Sequence, residues 1–488
     1  MRIRFMAVWV GFGLLASGVA CATAAPAPNL GPTSPPTAVR QATPSPTATP
    51  SPTAVPPPPP PTPRRGPSHA QRGTIYASPT GHDETGDGSE ARPFYSLSHA
   101  THQAAAGGTI CVRGGVYTAA QETIITRGTA EQPILIRPYP GEQPILDGTG
   151  ADLDHTDSIL LVRHSAHLTM EGFEVRNSSG RGISVYESEY ITIQHNRVHH
   201  TQTRAIGGGG DHITFAYNHI WEAVLENENN AYDSQGGWAG ALASYGREDG
   251  SPSTNIVMRG NLIHNVWGEG IIALRAIGFV VEDNTVFDAF SVNIYIDKVR
   301  DGRFENNYLY STTNAYNRSD RPYPANGITI ANEGAQPDHP VAEDLLIRNN
   351  VIIGTGAGIN YWHYPYAPNF AGNTYLNITI THNVIKDTQF TAVAIDEVPS
   401  LLYDAPSGIV LANNIIYAGR NGRALTIGNP DAWQISHNVW PDGLPSYGDP
   451  AGLVIEPEFV NPQLGGSHAG FQLAPNSLAN GRGLVENE

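Results

Sequence analysis

A frame of alternating apolar and polar positions that ends in asparagine recurs through the second half of the chain. In each copy the apolar side chains occupy alternate positions, an asparagine follows, and a further apolar pair comes after it. Clear copies stand at 191–196, 213–218, 256–261 and 279–284. Alternation with a period of two predicts strands with one face in a core.

The asparagines of this frame measure a repeat. They are Asn196, Asn218, Asn261, Asn284, Asn307, Asn350, Asn383, Asn414 and Asn438. The spacing is 22 residues from Asn196 to Asn218 and 24 from Asn414 to Asn438. Longer spacings, such as 43 from Asn218 to Asn261, are interpreted as one coil plus an inserted loop. A period near 22 is too short for helical repeats and suits a coil of three short strands.

A small residue followed by an aliphatic one precedes each asparagine strand and predicts a second strand. These pairs are Gly182-Ile183, Gly270-Ile271, Asn293-Ile294, Gly327-Ile328, Gly358-Ile359, Ala392-Val393 and Ala424-Leu425. Less regular apolar segments at 134–136, 159–162 and 167–170 add earlier coils. The whole predicts an all-β parallel β-helix of roughly twelve coils, ~55 Å long at the spacing between strands.

The recurring asparagine has a physical reason. In stacked coils the same turn position lies above itself at ~4.8 Å. A side-chain amide there can donate to the next coil and accept from the previous one, which satisfies turn backbone groups that would otherwise be buried unpaired. The asparagines are therefore expected to be structural, not catalytic.

The first part of the chain predicts export. Arg2 and Arg4 precede an apolar run too short to span a bilayer comfortably, so 1–24 is expected to be an export signal. Cleavage before Cys21 would leave a lipidated cysteine, whereas cleavage after the Ala22-Thr23-Ala24 site would discard it. Residues 25–72 are rich in proline and threonine and predict a disordered stalk. We expect an N-terminal cap and first coil at 73–130, β-helix coils at 131–440 and a closing segment at 441–488.

Composition narrows the partners. The 488 residues carry a formal net charge of −17, which argues against nucleic acid or an anionic membrane surface and is compatible with calcium. The only membrane contact expected is the lipid anchor, and nothing indicates an oligomer, so a secreted or surface-tethered monomer is expected. Lysine occurs only as Lys298 and Lys386, and Cys111, in an apolar stretch, is expected to be buried.

Two terminal segments resemble a known family. The phrases at 75–81, 93–94, 107–117 and 137–144 look like the capping segment of secreted bacterial right-handed β-helix proteins. The endings at 457–462 and 471–475 look like their closing segment. The resemblance runs from about 73 to the C-terminus and implies the right-handed parallel β-helix of the pectate and alginate lyase-like superfamily. That superfamily also holds epimerases, galacturonan hydrolases and non-catalytic adhesins, so function does not follow from it.

The enzyme motifs of the superfamily are missing. The chain has no adjacent aspartate pair with Gly-His-Gly, no Asp-Pro-His-Glu, and none of the arginine-rich or Asp-His signatures of the main pectate lyases. The calcium-plus-lysine lyases of this fold remain the nearest enzyme analogy, although no motif of theirs matches residue for residue.

Insertions mark the face where chemistry is expected. Aligned on the aliphatic of the small-residue strand, extra residues fall at about 226–237, 246–254, 312–325, 333–342, 363–374 and 397–407. Insertions on one face of a solenoid often wall a binding cleft. Neutral growth of loops is the alternative.

The same alignment stacks polar side chains beside these insertions. Four places after the aliphatic come Glu187, Arg275, Lys298, Asn332, His363 and Glu397; Asp297 and Asp396 stand one place earlier and Glu333 one place later. For β-elimination on a uronate, Lys298 is the predicted base, helped by Arg275, and His363 or Tyr361 is the predicted acid. Calcium is the cofactor considered, held by carboxylates. Its candidate ligands are Asp297, Glu333, Asp396 and Glu397.

The remaining candidates are substrate contacts. Asn332, Trp362, Glu269 and Asn293 are expected to face the same groove. The polar pairs can instead be solvated turns, and the aromatic insertion at 361–366 can pack on its own coil. The function expected is binding of a polysaccharide, with cleavage by β-elimination as its enzymatic form. The rival is a non-catalytic adhesion or matrix-binding module displayed on the stalk.

Overall fold

The computed structural model describes residues 73–118, 121–231, 239–321, 323–333, 341–362, 375–395 and 407–485. All of them belong to one compact unit, Ala54–Glu488. The predicted export signal, 1–24, and the predicted stalk, 25–72, lie outside the described residues. Within those residues no helix is long and apolar enough to cross a membrane.

The described chain winds into coils whose strands pair in parallel with those of the next coil. Two of the three strands of a coil merge into one long sheet of twenty strands within the described residues. They are Thr74–Ala77, Thr109–Val112, Glu122–Ile124, Ile134–Pro138, Ser158–Arg163, Ala166–Glu171, Arg181–Gln194, Ile206–Ala216, Gly240–Ser244, Ser253–Arg259, Glu269–Glu282, Val292–Glu305, Asn326–Ala331, Ala342–Arg348, Ile359–Trp362, Tyr375–Thr381, Val393–Ile395, Ile409–Ala412, Leu425–Ile427 and Trp433–Ser436.

The third strand of each coil forms a second sheet of eleven strands in the same part of the chain. They are Gly115–Thr118, Pro144–Asp147, Glu174–Ser178, Arg197–Thr201, His219–Ala223, Leu262–Val266, Thr285–Ala289, Tyr308–Tyr310, Val351–Ile353, Val384–Lys386 and Ile415–Ile416. The described residues contain one short α-helix, Leu97–His102, between the first two strands of the long sheet, and the Ser96 side chain caps its first turn by accepting from the His99 N–H at 3.0 Å. Three 3₁₀ turns complete the regular structure: Leu225–Asn230, Pro430–Ala432 and His468–Phe471. The predicted parallel β-helix is confirmed.

The predicted asparagine ladder is present. The Asn218 side-chain amide donates to Asn261 Oδ1 at 3.1 Å, and Asn218 Oδ1 accepts from the Asn196 amide at 3.1 Å. The second amide hydrogen of Asn218 bonds the carbonyl of Ile193 on the previous coil at 3.0 Å. Asn218 and Asn261 are thus on adjacent coils despite their 43-residue separation, which confirms that the extra residues are inserted loops.

The aliphatic positions of the small-residue strands form one continuous interior row. Ile271 pairs with Ile294, and Ile294 pairs with Ile328, each without solvent exposure. The small residue before the aliphatic is required by the stacking, because a Cβ on Gly270 would lie 2.6 Å from the carbonyl oxygen of Asn293. Cys111 is free and buried, as expected.

The two strands of the long sheet meet at a bend with left-handed backbone. The bend residues Glu187, Arg275 and Lys298 have φ of 45°, 51° and 55°. Leu274 pairs with Asp297 immediately before the bend. Three members of the predicted row four places after the aliphatic, Glu187, Arg275 and Lys298, therefore lie at a bend between the two strands.

Candidate functional site

A cleft of about 820 Å³ opens on the outward face of the small-residue strands. Its floor is a row of residues in register across four coils. They are Ile272, Tyr295, Thr329 and Asn360. The walls include Glu226, Arg318 and Glu333, so three of the predicted insertions, 226–237, 312–325 and 333–342, contribute to the cleft.

One end of the cleft carries carboxyl groups. Glu269, Asp297 and Glu333 all line it. Burial raises the pKa of Glu269 well above its ordinary value, and the charges of Glu333 and Asp297 raise it further. Burial also raises the pKa of Asp297 to about 6, although Lys298 opposes the shift. Glu269 and Asp297 therefore keep their protons more readily than exposed carboxyl groups do.

Lys298 holds Asp297 in place. Its ammonium donates to Asp297 Oδ2 at 2.8 Å and to the backbone carbonyl of Glu333. Asp297 Oδ1 accepts from the Glu333 N–H at 2.9 Å. Both side chains of the ion pair are almost fully buried, so the pair is not a solvated turn.

The opposite end of the cleft carries arginines around a tyrosine. Arg181 Nη1 and Arg204 Nη2 each donate to the Tyr186 hydroxyl oxygen at 2.8 Å. The Arg204 guanidinium also lies 4.7 Å above the centre of the Tyr245 ring. Burial lowers the pKa of Arg181, and the neighbouring charge of Arg204 lowers it further. All four residues line the cleft.

An aromatic wall lies one coil beyond the carboxyl groups, since Trp362 pairs with Ala331 of the coil that carries Glu333. The Arg321 guanidinium stands 5.3 Å above the Trp362 ring. Arg318 holds Asp320 through bonds of 2.8 and 2.7 Å. The predicted contact residue Trp362 thus presents its ring at the cleft, beside a cation.

Three predicted site residues lie elsewhere. Tyr361 belongs to the inward row of its strand and packs in the core, where burial raises the pKa of its hydroxyl. Asn332 ties the start of its loop to the coil, since its Oδ1 accepts from the Ala342 N–H at 2.7 Å and its amide donates to the Tyr361 hydroxyl at 3.3 Å. Asn293 is fully buried in the small-residue row and donates to the Asn326 carbonyl at 3.1 Å. The expectation that these three face the groove is wrong, because strand alternation and loop closure turn them inward.

Lys298 and Arg275 occupy neighbouring bends, as expected, but neither lines the cleft. Lys298 acts in this structure as a hydrogen-bond donor behind Asp297. The Arg275 side chain passes next to Gly246. Their assignment as base and helper stays a prediction.

Other predicted residues lie outside the described part of the chain. They are His363, Asp396 and Glu397. Of the four carboxylates predicted to hold calcium, Asp297 and Glu333 lie in the cleft. No group of three or more metal-binding side chains is arranged around one point among the residues with described positions.

The residues missed by sequence reasoning are those of the arginine end and the floor. Arg181, Tyr186, Arg204 and Tyr295 were not among the candidates. Tyr295 had a signal, because it stands one place after the aliphatic Ile294 and alternation turns it outward. Arg204 lies in a turn before the glycine-rich strand Ile206–Ala216, where the repeat is hardest to follow.

Two family models match the chain. The model described as "Pel9A-like, right handed beta helix region" matches residues 75–259. The model described as "Right handed beta helix region" matches residues 224–375. Together they cover most of the coils.

Comparison with single proteins gives the same fold. The uncharacterized protein YwoF of Bacillus subtilis is 26% identical over 362 residues, which are 70% of this chain and 68% of that protein. The pectate lyase PEL9 of Emericella nidulans is 45% identical over 86 residues, 16% of this chain and 21% of the lyase. The solved structure of XylC with xylose is 13% identical with a TM-score of 0.56 and covers 78% of this chain and 85% of XylC. With its coils, its ladder and both family matches, this chain is a right-handed parallel β-helix protein, and it is similar over residues 75–259 to the Pel9A-like β-helix family.

Proposed function

We propose that the protein binds a uronate-containing polysaccharide along this cleft and cleaves it by β-elimination. The observation that carries the proposal is the order of groups along one cleft, which runs from arginines through carboxyl groups to the aromatic ring of Trp362. Aromatic faces pack on sugar rings, and guanidinium groups bind carboxylates in paired hydrogen bonds.

The known relatives support cleavage as well as binding. The chain shares a segment of 86 residues with a pectate lyase at 45% identity. β-Elimination on a uronate needs a cation to neutralise the carboxylate, a base for the proton on C5 and an acid for the leaving oxygen. The arginines offer the first of these, and calcium held by Asp297 and Glu333 is a second source of positive charge to be tested.

Hydrolysis is the second candidate, and the carboxyl end favours it. A glycosidase uses one carboxyl group that keeps its proton and a second that is ionised. Glu269 has the raised pKa that the first role requires, and Asp297 lies in the same cleft. The structural neighbour XylC was solved with xylose, a sugar without a carboxylate.

The deciding experiment is a panel of uronate polymers and neutral xylan, each with calcium or with a chelator. Two products are measured together: the ultraviolet absorbance of the new C4–C5 double bond, and new reducing ends. Both signals on a uronate polymer support β-elimination, whereas reducing ends without absorbance identify a hydrolase. Binding without either product identifies the non-catalytic surface module. If the protein neither binds nor cleaves any of the polymers, the proposal is wrong.

A matched pair of variants tests the hydrolytic candidate. Glu269→Gln keeps the shape of the buried side chain and removes its proton, while Glu84→Gln changes an exposed residue of the N-terminal cap. If hydrolysis is the reaction, the first variant loses activity by ~100-fold or more and the second does not. An equal rate in the two variants excludes Glu269 as the acid.

We also propose that the protein acts outside the cell. Residues 1–24 support export, and the proline-rich 25–72 supports display at a distance from the surface. Mass spectrometry of the mature N-terminus tests this. A lipid on Cys21 indicates tethering, a start after Ala24 indicates secretion, and an intact Met1 in the cytoplasm contradicts export.

A further inference from the structure

Arg204 is a buried cation with unused hydrogen-bond donors. Its side chain lines the cleft although the residue is only 4% exposed. One nitrogen bonds Tyr186, but Nε and Nη1 are buried and have no partner among the described residues. Buried charged donors that have no acceptor are destabilising, so natural proteins rarely leave them unpaired.

A second cation stands beside it. Arg181 donates to the same hydroxyl oxygen as Arg204. No described carboxylate lies within ion-pair distance of either guanidinium. This end of the cleft is therefore built for an anion, and the aromatic face of Tyr245 next to Arg204 suits a ring that carries one.

Tyr186 lies where the proton chemistry of such a ligand would occur. Its oxygen lies in the cleft and accepts one hydrogen bond from each arginine at 2.8 Å. The negative charge that this oxygen carries after losing its proton faces two guanidinium groups. Arg204 and Tyr186 both line the cleft, so a carboxylate bound to Arg204 there would lie next to that oxygen.

We propose that Arg204 and Arg181 bind the carboxylate of a uronate ring and that Tyr186 is the catalytic base that removes the proton from C5 of that ring. This rests on the proposed function, and it moves the chemistry from the neighbourhood of Lys298 to the arginine end of the cleft. Tyrosine is among the side chains that serve as general bases.

The step balances without another reactant. The deprotonated Tyr186 oxygen forms a bond to the C5 hydrogen, and the electrons of the C5–H bond become the C4–C5 double bond. The C4–O4 bond breaks, and its electron pair stays on the leaving oxygen. Tyr186 then returns the proton to that oxygen and is deprotonated again for the next cycle.

The carboxyl end then contacts other rings of the same chain. Arg204 precedes the strand of Ile206, and the in-register row runs from Ile206 through Leu242 and Ile271 to Ile294, next to Asp297. Three coil spacings separate the two ends, on the order of 14 Å, which is the length of a few sugar rings. The substrate is thus an extended acidic oligosaccharide that spans both ends.

Two cleft variants and two controls test the proposal in the full-length protein. Tyr186→Phe removes the hydroxyl, and Arg204→Gln removes the cation. Tyr217→Phe and Arg300→Gln change exposed residues outside the cleft. Each variant is first shown to melt as the parent does. Production of the double bond on the polymer identified by the panel is then measured, with binding of tri-galacturonate by calorimetry.

The expected results separate chemistry from binding. Tyr186→Phe lowers kcat by ~100-fold or more and changes the Kd of tri-galacturonate less than about threefold. Arg204→Gln weakens that binding by ~10-fold or more. Both control variants behave as the parent. If Arg204→Lys binds tri-galacturonate more tightly than Arg204→Gln does, the lost positive charge is the cause of the weaker binding.

Several outcomes overturn the inference while leaving the proposed function standing. One is that Tyr186→Phe forms the double bond at a rate within twofold of the parent's. Unchanged tri-galacturonate binding by Arg204→Gln is another. If the parent neither cleaves nor binds any uronate polymer, the proposed function and the inference both fall, and reducing ends without a double bond exclude Tyr186 as the base.

Discussion

The side-chain amide of Asn438 donates to the carboxylate of Asp449 at 3.0 Å, and this bond ends the asparagine ladder. Asp449 also accepts from the backbone N–H of Asn438 at 2.9 Å and from the indole of Trp440 at 3.0 Å. Its second oxygen accepts from the His437 N–H at 3.0 Å. Asp449 thus takes the place of the next asparagine in the ladder. Because a carboxylate only accepts hydrogen bonds, it has no donor that would need a partner on a further coil.

Asp449→Ala is expected to destabilise the C-terminal coils. Several buried donors would lose their acceptor at once, at a cost on the order of 3 kcal/mol. Chemical denaturation measures the loss, with Asp431→Ala, an exposed aspartate of a 3₁₀ turn, as control. Equal unfolding free energies for the two variants would show that the ladder needs no closing acceptor.

Lys298→Met is expected to lower stability by about 3–5 kcal/mol, because it leaves the Asp297 carboxylate buried without its cation. The matched control is Lys386→Met, which changes the other lysine of the chain, one that lies over the Tyr417 ring. Adding Asp297→Leu to Lys298→Met should recover much of the loss. Thermal melts check both effects, and a stable Lys298→Met protein would show that the ion pair has no structural role.

Stability should fall with pH in the acid range because of the histidines on the second sheet. Burial, together with the charge of the nearby His264, lowers the pKa of His219 from 6.5 to about 3. Between these values the unfolded chain binds a proton that the folded chain does not, so the free energy of unfolding decreases as pH falls from 6.5 toward 3.

His219→Gln tests that assignment, since it removes one such group. Its melting temperature should depend less on pH across this window than that of the parent. His102→Gln, at an exposed histidine of the short helix, should keep the parent's slope. Parallel curves for all three proteins would mean that other groups cause the acid sensitivity.

Trp362→Ala is expected to weaken binding of the polysaccharide by about tenfold while Trp221→Ala leaves it unchanged. The first removes an aromatic ring from the cleft, and the second removes one from the outer face of the second sheet. Binding is measured by affinity electrophoresis in gels that contain the polymer. Equal retardation of the two variants would place the binding surface elsewhere.

The repeat could be predicted because it depends on short, regular contacts. Each ladder asparagine bonds the equivalent residue of the next coil, so one rule fixes all of them. Strand alternation also held the information that Tyr361 faces inward, since it stands two places after the buried Ile359. Placing Tyr361 in the groove ignored that parity.

The arginine end could not be predicted in the same way. Arg181 and Arg204 meet only through the Tyr186 oxygen, and no fixed spacing relates the three residues. Arg275 and Lys298 were predicted to face the cleft, but they do not line it, for another reason. Spacing placed these residues correctly on adjacent coils, but the left-handed bend there sends the Lys298 side chain to the Glu333 carbonyl.

The ladder also bears on how such a protein can diversify. The side-chain hydrogen bond between Asn218 and Asn261 is 3.1 Å long, although the coil between them carries long inserted loops. The one between Asn261 and Asn284, across a short coil, is 2.9 Å long. A coil can therefore double in length without shifting the coils above and below it. Selection can therefore change the loops that wall the cleft one at a time while the spacing between the coils stays the same.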